Sequence, residues 1–81
     1  MRARVYVSLK KTVLDPQGKT IHQALQSLGF TAARDVRQGK FFEIELAGSL
    51  TREAAQAQVE RMAREVLTNP VIEEFRYQIE E

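Results

Sequence analysis

The sequence predicts an α+β fold of the β-α-β-β-α-β, ferredoxin-like type: two helices on one face of an antiparallel sheet. Three observations carry this. Apolar and polar residues alternate at both ends of the chain, over residues 2–10 and 74–80. Two segments between them repeat their apolar residues at helical spacing. A third alternating run, Phe42, Ile44 and Leu46, lies in the middle.

In the first strand Ala3, Val5, Val7 and Leu9 share one face, and Arg2, Arg4, Tyr6, Ser8 and Lys10 the other. This is the pattern of a half-buried strand. Asp15-Pro16-Gln17-Gly18 then reads as a type I turn, with Asp first, Pro second and Gly fourth. Thr20, with Gln23 three residues on, forms a capping box that predicts a helix start. Ile21, Ala24, Leu25 and Leu28 give that helix one apolar stripe, and Gly29 supplies the left-handed stop.

From Phe30 to Ala47 two strands are expected, joined as a hairpin at Gln38-Gly39. The first, residues 32–38, has only Val36 as a strong strand former and is placed at an edge. Thr51 caps the second helix, with Glu53 in its first turn where the helix dipole favours an anion. Its buried stripe is expected at Ala55, Val59, Met62, Ala63, Val66 and Leu67, with Glu60 and Arg64 as an i,i+4 pair. Asn69 before Pro70 ends the helix, because a residue preceding Pro is pushed out of helical geometry. Phe75, Tyr77 and Ile79 alternate in the last strand. Right-handed crossovers place both helices over Val5, Val7, Ile44 and Phe75. The helix-free face then holds Arg2, Arg4, Tyr6, Phe41, Glu43, Glu45 and Arg76. Tyr6 and Phe41 are its candidate self-association anchors.

At 81 residues the expectation is a single domain, 1–81. A chain of this size buries only about 60–65% of its unfolded surface, so it gains from staples or partners. It has no Cys and one His, which excludes disulfides and thiolate metal sites and leaves no ligand set for zinc. Oligomerisation is the remaining help. With 12 basic and 11 acidic residues there is no electrostatic footprint for nucleic acid or an anionic membrane. No apolar run is long enough to span a bilayer, and no signal-peptide pattern opens the sequence, so a soluble, cytoplasmic protein is expected.

Catalytic chemistry is hard to find. His22 lies off the apolar stripe with no Ser or Cys partner implied. Glu43 and Glu45 are interleaved with Arg residues and read as a solvated face rather than an acid/base pair. Gly18-Lys19-Thr20 resembles the end of a phosphate-binding loop, but Val13 stands where the earlier Gly is required. Acylphosphatase-type chemistry lacks its loop Arg and its strand Asn. No catalytic, cofactor-binding or metal-ligating residue is assigned. A regulatory module binding an amino acid or other small ligand at a dimer interface remains open on these grounds.

Three stretches carry a resemblance: Val13-Leu14-Asp15-Pro16-Gln17-Gly18, Val36-Arg37-Gln38-Gly39-Lys40 and Asn69-Pro70-Val71-Ile72-Glu73. With Leu9-Lys10, Ala24-Leu25 and Leu28-Gly29-Phe30, they follow one another as in the PurS family, over essentially the whole chain. Gln38 stands where that family usually has an aliphatic residue, and Val66-Leu67-Thr68 replaces Leu-Leu-Ala. The family is the small subunit of phosphoribosylformylglycinamidine synthase in de novo purine biosynthesis. The resemblance implies a non-catalytic adaptor that dimerises, or forms tetramers, and joins a glutaminase subunit to a large synthetase subunit, supporting ammonia transfer. ATP and Mg are then expected on the large subunit and no cofactor on this chain. It further implies partner-contact roles for Asp15, Pro16, Gln17, Gly18, Arg37, Lys40, Asn69, Pro70 and Glu73.

Overall fold

The alternating residues at the start of the chain form β1, Arg2–Leu9, in a computed structural model that describes residues 1–81. It is followed by α1 (Pro16–Ser27), β2 (Gly39–Glu45), α2 (Arg52–Met62), a π-helical turn at Ala63–Leu67, and β3 (Glu73–Glu80). The three strands make one antiparallel sheet in the order β2-β1-β3. Val5 pairs with Phe42 on one side and Tyr77 on the other; Val7 pairs with Lys40 and Phe75. One face therefore presents Ala3, Val5, Val7, Phe42, Ile44, Phe75, Tyr77 and Ile79. The α+β class and its antiparallel sheet are as the sequence predicts.

α2 covers that face. Ala55, Val59 and Ala63 are buried against Ala3, Val5, Val7 and Ile79, and each buried Val contributes about 1.5–3 kcal/mol relative to exposure. Thr51 caps α2 through its side-chain oxygen, 3.1 Å from the N–H of Ala54, and Glu60 accepts from Arg64 at 2.7 Å. The last turn widens: the Thr68 N–H reaches back five residues to the Ala63 carbonyl at 3.0 Å. That extra residue rotates Val66 out of the expected stripe, leaving it 77% exposed, while Leu67 stays against the core.

α1 behaves differently. It starts one turn earlier than the capping box at Thr20 implies, because Asp15 is the N-cap and Pro16 the first helical residue. The expected Asp-Pro-Gln-Gly turn is thus the helix's first turn, and Thr20 merely donates its hydroxyl to the Pro16 carbonyl at 3.0 Å. Gly29, at φ +93°, terminates the helix. Only Gly18 of α1 is buried; Ile21 and Leu28 lie open to solvent. The helix stands off the sheet as an arm. The radius of gyration is 16.1 Å, against about 12 Å for a compact domain of this length.

Residues 32–38 do not form the expected edge strand, and there is no hairpin at Gln38-Gly39. The segment runs back along α1 and its polar groups are satisfied by side chains. The Ala33 carbonyl accepts from Gln26 Nε2 at 2.8 Å and lies 2.8 Å from His22 Nε2. With one strand former in seven residues, a strand could not outbid these local bonds.

Candidate functional site

At the end of the sheet where α1 leaves it, the three motif stretches converge. Asp15, Gln17, Gln38, Lys40 and Glu73, with Val7, Ser8, Leu9 and Gly39 behind them, surround a hollow of about 270 Å³. Asp15 is the organiser. Its Oδ1 accepts from the Gly18 N–H at 2.9 Å and its Oδ2 from the Gln38 N–H at 2.7 Å. One carboxylate therefore caps α1 and pins the start of β2. These two backbone donors, Gly18 foremost, with help from the Arg37 charge, hold its carboxyl below the ordinary Asp range.

The Arg37 side chain folds inward. Its Nη2 donates to the carbonyls of Lys10 (3.0 Å) and Val13 (2.9 Å), tying the return segment to the end of β1. Gln38 Nε2 donates to Gln17 Oε1 at 2.7 Å. Lys40 projects from the helix side of β2 and meets Glu73 at 3.2 Å. Glu73 also accepts from the Asn69 N–H at 2.7 Å. That backbone bond first, then Lys40, holds its carboxyl below the usual Glu range. The Asn69 carboxamide oxygen receives the Val71 N–H at 3.1 Å, so residues 69–73 form a turn stiffened by its own side chains.

The close approaches explain the two glycines. A Cβ on Gly18 would overlap the Val36 carbonyl oxygen, and one on Gly39 would overlap the Val7 carbonyl oxygen. Of the residues singled out from sequence, Asp15, Gln17, Lys40 and Glu73 line the hollow. Gly18, Arg37 and Asn69 hold its walls, and Pro16, the first residue of α1, and Pro70, in the turn before β3, are exposed. Gln38 was missed as a site residue. The signal for it was its position before Gly39, which sequence reading assigned to a hairpin.

On the helix-free face Tyr6 and Phe41 stack with centroids 5.1 Å apart, and the Arg76 guanidinium lies 4.1 Å over Tyr6. Arg2 and Arg4 pair with Glu43, Glu45 and Glu80, so the two carboxylates that imitate an acid/base pair are neutralised by neighbours. No three His, Cys, Asp or Glu side chains come together as a metal site, and no helix is long and apolar enough to cross a membrane.

This arrangement and its sequence stretches coincide with one family along the chain. A family model described as PurS, phosphoribosylformylglycinamidine (FGAM) synthase, matches residues 2–81. The chain belongs to the PurS family. It is 41% identical over 80 residues to the PurS subunit of phosphoribosylformylglycinamidine synthase from Bacillus subtilis, covering 99% of this chain and 93% of the relative. The corresponding subunit of Methanocaldococcus jannaschii is 38% identical over 79 residues, covering 98% and 94%. The solved M. jannaschii PurS structure superposes with a TM-score of 0.86 at 36% identity, over 99% of this chain and 95% of that one. A chain of the PurLQS structure from Thermotoga maritima gives 0.82 at 27% identity, over 95% and 93%. PurS relatives match nearly end to end, which sets aside the ligand-binding regulatory module as the reading of this chain.

Proposed function

We propose that residues 1–81 act as one unit, the non-catalytic small subunit of a phosphoribosylformylglycinamidine synthase in de novo purine biosynthesis in the cytoplasm. It bridges a glutaminase subunit and a large synthetase subunit, and supports ammonia passage between them. ATP and Mg bind the large subunit. The observation that carries this reading is the convergence of residues 13–18, 36–40 and 69–73 on one end of the sheet, cross-tied by Asp15 to Gln38, Arg37 to Val13 and Lys40 to Glu73. It is a polar, irregular, cross-bonded surface, and Pro16, Gln17 and Pro70 are exposed to partners.

Self-association accounts for two further surfaces. Ile21 on α1 and Leu28 at its C-cap are exposed, and Tyr6 with Phe41 offers an aromatic ledge on the helix-free face of the sheet. One such surface used isologously makes a dimer; both used together make a tetramer.

The test separates ammonia delivery from chemistry. Without this chain, glutamine-dependent amination should collapse while amination driven by high external ammonia persists, because docking raises the local ammonia concentration. Equal loss of both activities would overturn the adaptor reading.

A further inference from the structure

Charge in this chain is segregated. Residues 10–40 hold Lys10, Lys11, Lys19, Arg34, Arg37 and Lys40 against Asp15 and Asp35, a net of +4; the remainder holds six cations and nine carboxylates, a net of −3. Of the six cations in residues 10–40 only Lys40 meets a carboxylate: Arg37 is spent on backbone carbonyls, and Lys10, Lys11, Lys19 and Arg34 face none, whereas four of the six cations in the remainder, Arg2, Arg4, Arg61 and Arg64, are paired. Lys19 and Arg34, with Arg37 and His22, line a hollow of about 290 Å³ between α1 and the return segment, rimmed by Leu14, which is 71% exposed. The two acids there are already engaged: Asp15 by two backbone donors, and Asp35 Oδ1 by the Val36 N–H at 3.0 Å.

We propose that this basic hollow docks an acidic segment of one of the larger partner subunits, an inference that rests on the adaptor reading above. Unspent cations around an apolar rim suit a chain that alternates carboxylates with an aliphatic anchor. A second copy is a poor occupant. Six of the nine carboxylates outside the arm (Glu43, Glu45, Glu60, Glu65, Glu73 and Glu80) already face cations, and two arms set together would oppose like charges. The hollow also lies away from the apolar stripe. Lys19 precedes Ile21 by two residues, which places it about 160° around the helix. The two surfaces can thus be occupied at once.

The test is the charge-reversed double variant Lys19→Glu, Arg34→Glu, titrated separately against the purified glutaminase and the purified large subunit at low and high salt. Both residues are exposed and unpaired, so melting temperature and light-scattering mass should match the parent. Binding to one of the two subunits should weaken about tenfold at low salt, mostly in association rate, and the difference should shrink at high salt. Should the reversed variant melt early, Lys19→Ala, Arg34→Ala takes its place, with a weaker effect of the same salt dependence. Parent-like binding to both subunits overturns the proposal alone. Loss of self-association with partner binding intact would assign the hollow to a second copy and also overturn it. A parent protein that binds neither subunit would overturn the adaptor reading, and this inference with it.

Discussion

The Asp15 carboxylate accepts the Gln38 N–H at 2.7 Å across 23 positions of sequence while its other oxygen caps α1. It joins two segments that no strand pairing connects. Asp15→Asn keeps one acceptor oxygen and Asp15→Ala keeps none. Both should lower the melting temperature, Ala by several degrees more than Asn. Amide hydrogen exchange should quicken at residues 17–19 and 36–39 and stay slow in β1. Uniform quickening through the sheet would mean that Asp15 supports the whole fold rather than the arm.

Gly18 lets α1 lie against the return segment. Gly18→Ala places a methyl group where the Val36 carbonyl oxygen sits, and relief of that overlap should cost about 1–3 kcal/mol. The gain in helix propensity from Ala, about 1 kcal/mol, offsets only part of it. Urea melts read the net loss. A variant as stable as the parent would show that the return segment shifts freely.

Acid should loosen the motif end first. Asp15 and Glu73 both titrate below their unfolded values, which lie at about 4. A depressed carboxyl contributes stability that is complete above the unfolded value and is lost as pH falls through the folded one. Stability should therefore be flat from neutral pH to about 5 and decline below about 4. The Asp15→Asn, Glu73→Gln variant should be less stable at neutral pH yet show a shallower acid decline. Parallel pH profiles for parent and variant would place the acid sensitivity elsewhere.

Self-association should respond differently to its two surfaces. Ile21→Ser with Leu28→Ser changes exposed positions and should leave α2 and the sheet intact. Tyr6→Ser with Phe41→Ser removes a stacked pair worth about 0.5–1.5 kcal/mol beyond its buried area. Light scattering then reads which pair reduces the mass. A parent that is monomeric at micromolar concentration would dismiss both surfaces.

Much of the fold was legible because local pattern and tertiary environment agree. Alternation in residues 2–9 and 73–80 and the Ala55-Val59-Ala63 spacing each name a buried face, and the sheet and α2 form there. Thr51, Gly29 and the Glu60–Arg64 pair act within a few residues and so carry their own signal. The motif residues of the site were also visible as stretches of irregular chemistry.

Where the unsatisfied polar groups find partners is settled by long-range packing. Residues 32–38 are not a strand, because the Gln38 N–H meets a carboxylate 23 residues away and the Ala33 carbonyl meets the side chains of α1. Arg37 and Lys40, expected as partner contacts beside a hairpin, are committed to carbonyls and to Glu73, and Lys19 and Arg34 are among the cations left open. Such bonds span long loops and depend on side-chain position, and spacing along the chain carries no record of them. Alternation and helical spacing say which residues seek burial; the fold sets which polar groups remain unspent for a partner.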